Sequence, residues 1–330
     1  MTNKRAKTAT TGKLATPSTR TTTEQTLRDL QKAMEGKNFA SLEEANAFLQ
    51  TTLGSGLASL LDEVPLSPKD EAQELAFDAM EAESDAQAAK LAKRALRKDP
   101  DCVDALVVLA EIESTSTKQL IIRLQEAVAA GERSLGAEFI AENKGHFWDI
   151  IETRPYMRAL EQLAGLLRSE GINLDAIRHY ETLLSLNPND NQGVRDPLLG
   201  LYLATDNLEG ARRLLLEYKN DVMANFAWCR VLERFLARDL PGASAALVKA
   251  RKANRFVELY LSGRKALPKR RPEMYGMGSE EEAVLCLDNI SAAWVAHKEA
   301  AFWLLNQLET PTRSPKKVRI NKLGKKRKRK

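Results

Sequence analysis

Aromatic residues make up only 6% of this 330-residue chain. Nowhere does a run of about 18 apolar residues occur. The first shortage argues against aromatic-rich β-sandwich cores, and the second leaves no candidate membrane-spanning helix. Cysteine is as sparse: Cys102, Cys229 and Cys286 lie far apart and are odd in number. That supports no disulfide framework and predicts a reducing, cytoplasmic setting. The basic residues near the start are not followed by an apolar stretch, so no secretory signal is read there. With three histidines and no close cysteine pair, local spacing assembles no zinc site, and no metal is expected. Gly276-x-Gly278 is too short for a phosphate-binding loop, so no cofactor is expected either. Period-two alternation of apolar and polar residues is absent, which predicts no strands.

What is present in quantity is alanine, leucine and charge. Residues 316–330 hold ten Lys or Arg and no acid, and residues 1–22 hold five (Lys4, Arg5, Lys7, Lys13, Arg20) and no acid. Those fifteen cations exceed the net charge of +5, so residues 23–315 carry −10. The pI near 9 therefore reports the ends and not the body.

Residues 1–22 lack apolar periodicity and are expected to be a disordered basic arm. Short helices follow over 23–53, the first with Leu27, Leu30 and Met34 on its apolar face. The second opens at Ser41, where Ser41 and Glu44 have capping-box spacing. Glycine and proline make 54–68 a linker, and Ser67-Pro68 marks the next helix start. From 69 to 262 a two-helix pattern recurs about every 34 residues. Leu160, Leu163, Ala164 and Leu167 lead to Gly171, then to Ala176, Tyr180, Leu183 and Pro188. Ala164 and Ala176 let two helices approach, Gly171 supplies the turn and Pro188 ends the second helix. Leu75-Ala76 leads to Ala88, Ala95 and Pro100; Leu199-Gly200 leads to Ala211 and Leu215; Trp228, Val231 and Leu232 lead to Ala243, Leu247 and Ala250. In the second pair Ile122 stands where the others carry alanine, and an insertion at 131–155 interrupts the spacing. Past the last pair, 263–308 is expected to form a capping helix opened by Ser279-x-x-Glu282, and 309–330 a disordered basic tail.

These pairs resemble the tetratricopeptide repeat. Further stretches extend the likeness: Gly145-His146-Phe147-Trp148, Glu152-Thr153-Arg154-Pro155-Tyr156-Met157, Asn187-Pro188-Asn189-Asp190-Asn191-Gln192-Gly193 and Tyr275-Gly276-Met277-Gly278-Ser279-Glu280. Over roughly 23–307 the chain is similar to a group of bacterial tetratricopeptide proteins described as resembling the suppressor of tumorigenicity 7 family. The resemblance implies an all-α fold, a right-handed α-solenoid of helix pairs. It also implies a role in protein association, and it carries over no catalytic residue.

Candidate sites follow from helical phase. The first helix of each pair is expected to line the inner face, pointing Arg158, Glu161 and Arg168 there from the third pair and Phe226 and Glu233 from the fifth. Apolar contact with charged clamps then holds a peptide or protein partner. Solvated surface charge is the plainer reading for each. Arg154 and Tyr156 are read either as a fixed turn or as a contact surface. His146 with Asp149 and Glu152 forms an acid–base site only if a cleft encloses them; a structural or exposed histidine is the simpler reading, and the chain is taken as non-enzymatic. Lys325, Lys326, Arg327, Lys328, Arg329 and Lys330 offer phosphate contact by counterion release, which makes a nucleic-acid-associated adaptor the alternative function. No aromatic lies within 313–330, so base stacking is not offered there. Capped ends fit a monomer.

Overall fold

Alanine-rich helices with serine caps dominate the computed structural model, which describes residues 19–34, 37–55 and 66–309. Among the described residues every regular element is helical and none is a strand. No helix among them is long and apolar enough to cross a membrane. The basic tail 310–330, residues 1–18 of the arm and 56–65 of the linker lie outside the described residues. The chain divides into two compact units, residues 1–198 and 199–330.

The first unit begins with α1 (Thr19–Met34) and α2 (Leu42–Ser55). The arm therefore ends at least four residues earlier than expected, since 19–22 are helical. Three consecutive pairs follow: α3 (Pro68–Met80) with α4 (Asp85–Lys98), α5 (Val103–Glu113) with α6 (Thr117–Leu135), and α8 (Arg154–Ser169) with α9 (Asn173–Leu186). At the head of α3, Ser67 and Asp70 exchange both capping-box bonds, with Pro68 at the first helical position. Ser84 and Ser116 cap α4 and α6 by one bond each, accepting from the backbone N–H of Gln87 and Gln119, each worth about 1 kcal/mol. Ala72, Ala76, Ala79, Ala92, Ala95 and Ala105 are fully buried, so the first pairs meet almost backbone to backbone. α5 packs on both α3 and α4, and α8 packs on both α5 and α6, so consecutive pairs pack on one another. Between α8 and α9 the turn at Gly171 has φ +74°, a conformation that glycine adopts without strain.

The irregular segment between the second and third pairs is shorter than the sequence suggested. α6 continues through Gly131, whose bare Cα lets Tyr156 of α8 pack against it: a Cβ there would stand 2.6 Å from Tyr156 Cδ2. Its buried face is Leu124, Ala127, Val128 and Ala130, while Ile122 is exposed, so the predicted register of this helix is corrected. After α7 (Ala137–Glu142) two 3₁₀ turns, Phe147–Asp149 and Ile151–Thr153, carry Phe147 into the core. Phe147 lies 6.4 Å from both Phe139 and Tyr156, ring centroid to ring centroid.

In α10 (Arg195–Ala204) the boundary between the units is crossed. The second unit holds α11 (Leu208–Glu217), the pair α12 (Ala224–Leu236) and α13 (Leu240–Ala253), then α14 (Phe256–Leu261), α15 (Glu280–Ala296) and α16 (Lys298–Glu309). The expected single capping helix is two, broken at His297, whose Nε2 lies 2.7 Å from the Leu203 carbonyl oxygen. Both pack on α12: Trp294 meets Trp228 at 6.5 Å and Trp303 meets Phe235 at 5.5 Å. Ser279 caps α15 by accepting from the Glu282 backbone N–H, but the Glu282 carboxylate does not return the bond of a capping box. It accepts from the backbone N–H groups of Gly278 and Ala224 and from Asn254 Nδ2, tying the starts of α12 and α15 to the end of α13.

Candidate partner-binding site

Within the first unit, the first helices of the three pairs put Asp70, Gln73 and Glu74 (α3), Asp104 (α5) and Arg158 (α8) on one face. Helix α1 lies against it. Arg158 sits between two carboxylates: Nη1 donates to Glu24 Oε2 at 2.6 Å, and Nη2 donates to Asp104 Oδ2 at 2.6 Å. The second oxygens of both acids close the forks, each at 3.2 Å. The side chains of Glu24 and Asp104 are 2% exposed, so both charges depend on that one guanidinium. Burial works against the charge on Arg158, but Asp104 and Glu24 outweigh it and hold the group charged beyond an ordinary arginine. Gln73 Nε2 adds a donor to Asp104 at 2.7 Å.

Further along α1, Arg28 and Lys32 reach Asp70 at 3.4 and 3.3 Å. Gln25 donates to Glu74 and Gln31 to Glu152, both at 2.7 Å. Burial pushes the Glu74 carboxyl above its usual range, with Gln25 acting in the opposite direction. Burial also pushes Asp70 upward, yet the Ser67 hydroxyl and Lys32 prevail and hold it below the ordinary aspartate value. A cavity of about 410 Å³ opens beside α1, lined by Arg28, Asp70, Gln73, Cys102 and Tyr156 among others. Buried Arg28 Nε has no hydrogen-bond partner, so the fit of α1 is incomplete at this point. The buried face of α1 is thus Glu24, Arg28, Lys32 and Ala33, and Leu27 is exposed. Of the expected apolar face, Leu30 and Met34 are half-buried and only Leu27 is exposed, so that expectation is corrected in part. The spacing of Glu24, Arg28 and Lys32 at i, i+4 and i+8 was the available signal.

The other residues singled out from the sequence fall in several environments. Arg154 donates to the Trp148 carbonyl oxygen at 3.1 and 3.3 Å and lies 5.0 Å over the Trp148 ring, a fixed turn. Tyr156 is buried, its hydroxyl 3.3 Å from Glu132 Oε1, so it presents no contact surface. Glu161 accepts from Gln192 Nε2 at 2.5 Å, and Arg168 is half-buried near Tyr180. His146 and Asp149 are 3.9 Å apart and about three-quarters exposed, so no cleft encloses them. Cys102 is a buried thiol that burial pushes up to about 12. Among the described residues no group of three or more His, Cys, Asp or Glu is placed to hold a metal ion.

In the second unit, Phe226 is fully buried against Tyr218, ring centroids 6.2 Å apart. The expectation that it faces a partner is corrected: α12 is enclosed by α13, α15 and α16 and has little solvent face. Glu233 is 4% exposed and accepts from Arg212 Nε at 2.6 Å, with Arg234 Nε at 3.5 Å. It forms part of a groove of about 1150 Å³ between α11, α12 and α13 that also exposes Leu216, Val222, Lys219 and Lys249. The Lys325–Lys330 cluster lies outside the described residues. No protein-family model and no curated protein matches this chain.

Proposed function

We propose that the chain is a non-enzymatic protein–protein interaction scaffold. Its helix pairs, tetratricopeptide-like in their alanine spacing, are read as a right-handed solenoid whose first-helix face holds a helical segment of a partner. One observation carries this reading. The face formed by α3, α5 and α8 already seats a helix, α1, chiefly through polar and charged side chains. Charged side chains from three separate pairs converge on it, as a recognition surface requires and a purely structural helix interface does not. The insertion between the second and third pairs contributes Glu152 to the same face. The test is capture by the immobilised full chain at low and high salt, read by mass spectrometry. A small set of proteins retained by the wild type and lost on Arg158→Glu supports the scaffold. The same proteins on both, or none above an unrelated protein of equal pI, counts against it.

The ten cations of 316–330 favour a second reading, a nucleic-acid-associated adaptor that uses this tail for phosphate contact. Removing residues 313–330 separates the two: retention of RNA and DNA falls under the second reading and is unchanged under the first.

A further inference from the structure

α1 is an unusual occupant of the face it covers. Among its described side chains the one buried hydrophobic is Ala33, with Leu30 and Met34 half-buried; the others buried are Glu24, Arg28 and Lys32. By contrast α8 buries Tyr156, Met157, Leu160, Leu163 and Leu167, so apolar burial holds α8 far more strongly than α1. The attraction within ion pairs is largely offset by the desolvation of their charges, and it weakens with salt. α1 has little helical stability of its own, with Thr21, Thr22 and Thr23 near its start and a length of 16 residues. An unpartnered Arg28 Nε beside a cavity shows that the seat accommodates more than α1 fills.

We propose that α1 is a built-in, displaceable occupant, and that its charge order specifies the ligand taken in trans. That ligand is a helix of a partner protein carrying a carboxylate followed by cations four and eight residues on, the order of Glu24, Arg28 and Lys32. The carboxylate engages the free side of Arg158, whose other side Asp104 keeps oriented. The two cations engage Asp70, which lies at the head of α3. Without α1 the face carries Asp70, Glu74, Asp104 and Glu152 against Arg158, so it favours a ligand of net positive charge. This deepens the scaffold reading and rests on it.

The experiment uses the full chain, wild type and with Glu24→Arg, Arg28→Glu and Lys32→Glu combined, which sets α1 against each of its partners. The probe is a fluorescein-labelled synthetic peptide of residues 19–34, titrated by anisotropy. The triple variant is expected to bind it saturably. Wild type is expected to bind at least about tenfold more weakly, because the tethered α1 competes at high effective concentration. Raising salt to about 0.5 M, where screening acts within roughly 4 Å, is expected to weaken binding again. A peptide bearing the same three reversals is expected not to bind the triple variant. No saturable binding to a variant with native circular dichroism overturns the proposal, as does equal binding to both chains. If the variant loses its helical signal, trypsin cleavage of wild type after Arg28 and Lys32 decides instead. The native-sequence peptide is expected to accelerate it and the reversed peptide not, and no acceleration overturns the proposal. Failure here with salt-sensitive, Arg158-dependent capture of partners intact leaves the scaffold reading standing and removes only the ligand pattern.

Discussion

Replacing Arg158 by methionine removes the only cation between two buried carboxylates, and the two acids respond differently. Asp104 belongs to α5, which is held between α3, α4, α6 and α8, so its charge stays buried with Gln73 as its remaining side-chain donor. Leaving one buried charge of a pair uncompensated costs about 3–5 kcal/mol. Gln73 keeps the expected value near the lower end, at about 3 kcal/mol. Glu24 escapes that cost because α1 can leave the face and take its carboxylate into water. The consequence for Glu24 is loss of the seat, on the order of 1–2 kcal/mol. Glu24→Gln alone leaves Arg158 on Asp104 and is expected to cost only that smaller amount. Combined with Arg158→Met it adds little, giving a coupling energy of roughly 1–2 kcal/mol in a double-mutant cycle. Asp104→Asn added to Arg158→Met recovers part of the loss by removing the stranded charge. Urea unfolding followed by circular dichroism measures all these variants. An Arg158→Met chain within about 0.5 kcal/mol of wild type, as for an ordinary surface substitution, refutes the reasoning. Additive effects of Glu24→Gln and Arg158→Met refute the pairing.

Three further outcomes are expected. Gly200→Ala puts a Cβ 2.0 Å from the backbone oxygen of Asn289, between α10 and α15, and should cost at least about 1–3 kcal/mol in thermal or urea unfolding; an unchanged melting temperature contradicts that close approach. Cys102, Cys229 and Cys286 are all buried, with Cys102 pushed up to about 12, so the native chain should resist a thiol reagent at neutral pH and react at all three only in denaturant. Asp70 is held below the ordinary aspartate value, so its contribution is full above the unfolded pKa of about 3.9 and lost as pH falls through the lower folded value. Asp70→Asn should therefore flatten stability against pH in that acidic window, and an unaltered slope contradicts the assignment.

Much of the pair architecture was legible because it is local. Ala76, Ala88 and Ala95, or Ala164 and Ala176, recur at spacings that only closely packed helix pairs explain, and Ser67-Pro68 and Ser279 announce helix starts by their own chemistry. The seat of α1 was not legible for the opposite reason. Helical periodicity assumes that apolar residues face inward, whereas Glu24, Arg28 and Lys32 are drawn inward by Asp70, Asp104 and Arg158, which lie up to 134 positions away. Phase also gives the direction of a side chain without saying what already stands there. Arg158 is engaged within the chain by Glu24 and Asp104, and Phe226 lies on a helix, α12, that α15 and α16 cover and whose packing no repeat pattern encodes. In α6 the exposed Ile122 misled the register because Gly131 and Tyr156, and not an alanine, make the close approach.

Hydrogen exchange of the amides in residues 19–34, compared between wild type and Arg158→Met at low salt, tests most directly whether three helix pairs hold α1 through that guanidinium. Protection in wild type that falls to solvent-like exchange in the variant, while α8 and α9 keep theirs, is the predicted result. Unprotected amides in wild type, or the same protection in both chains, contradicts it.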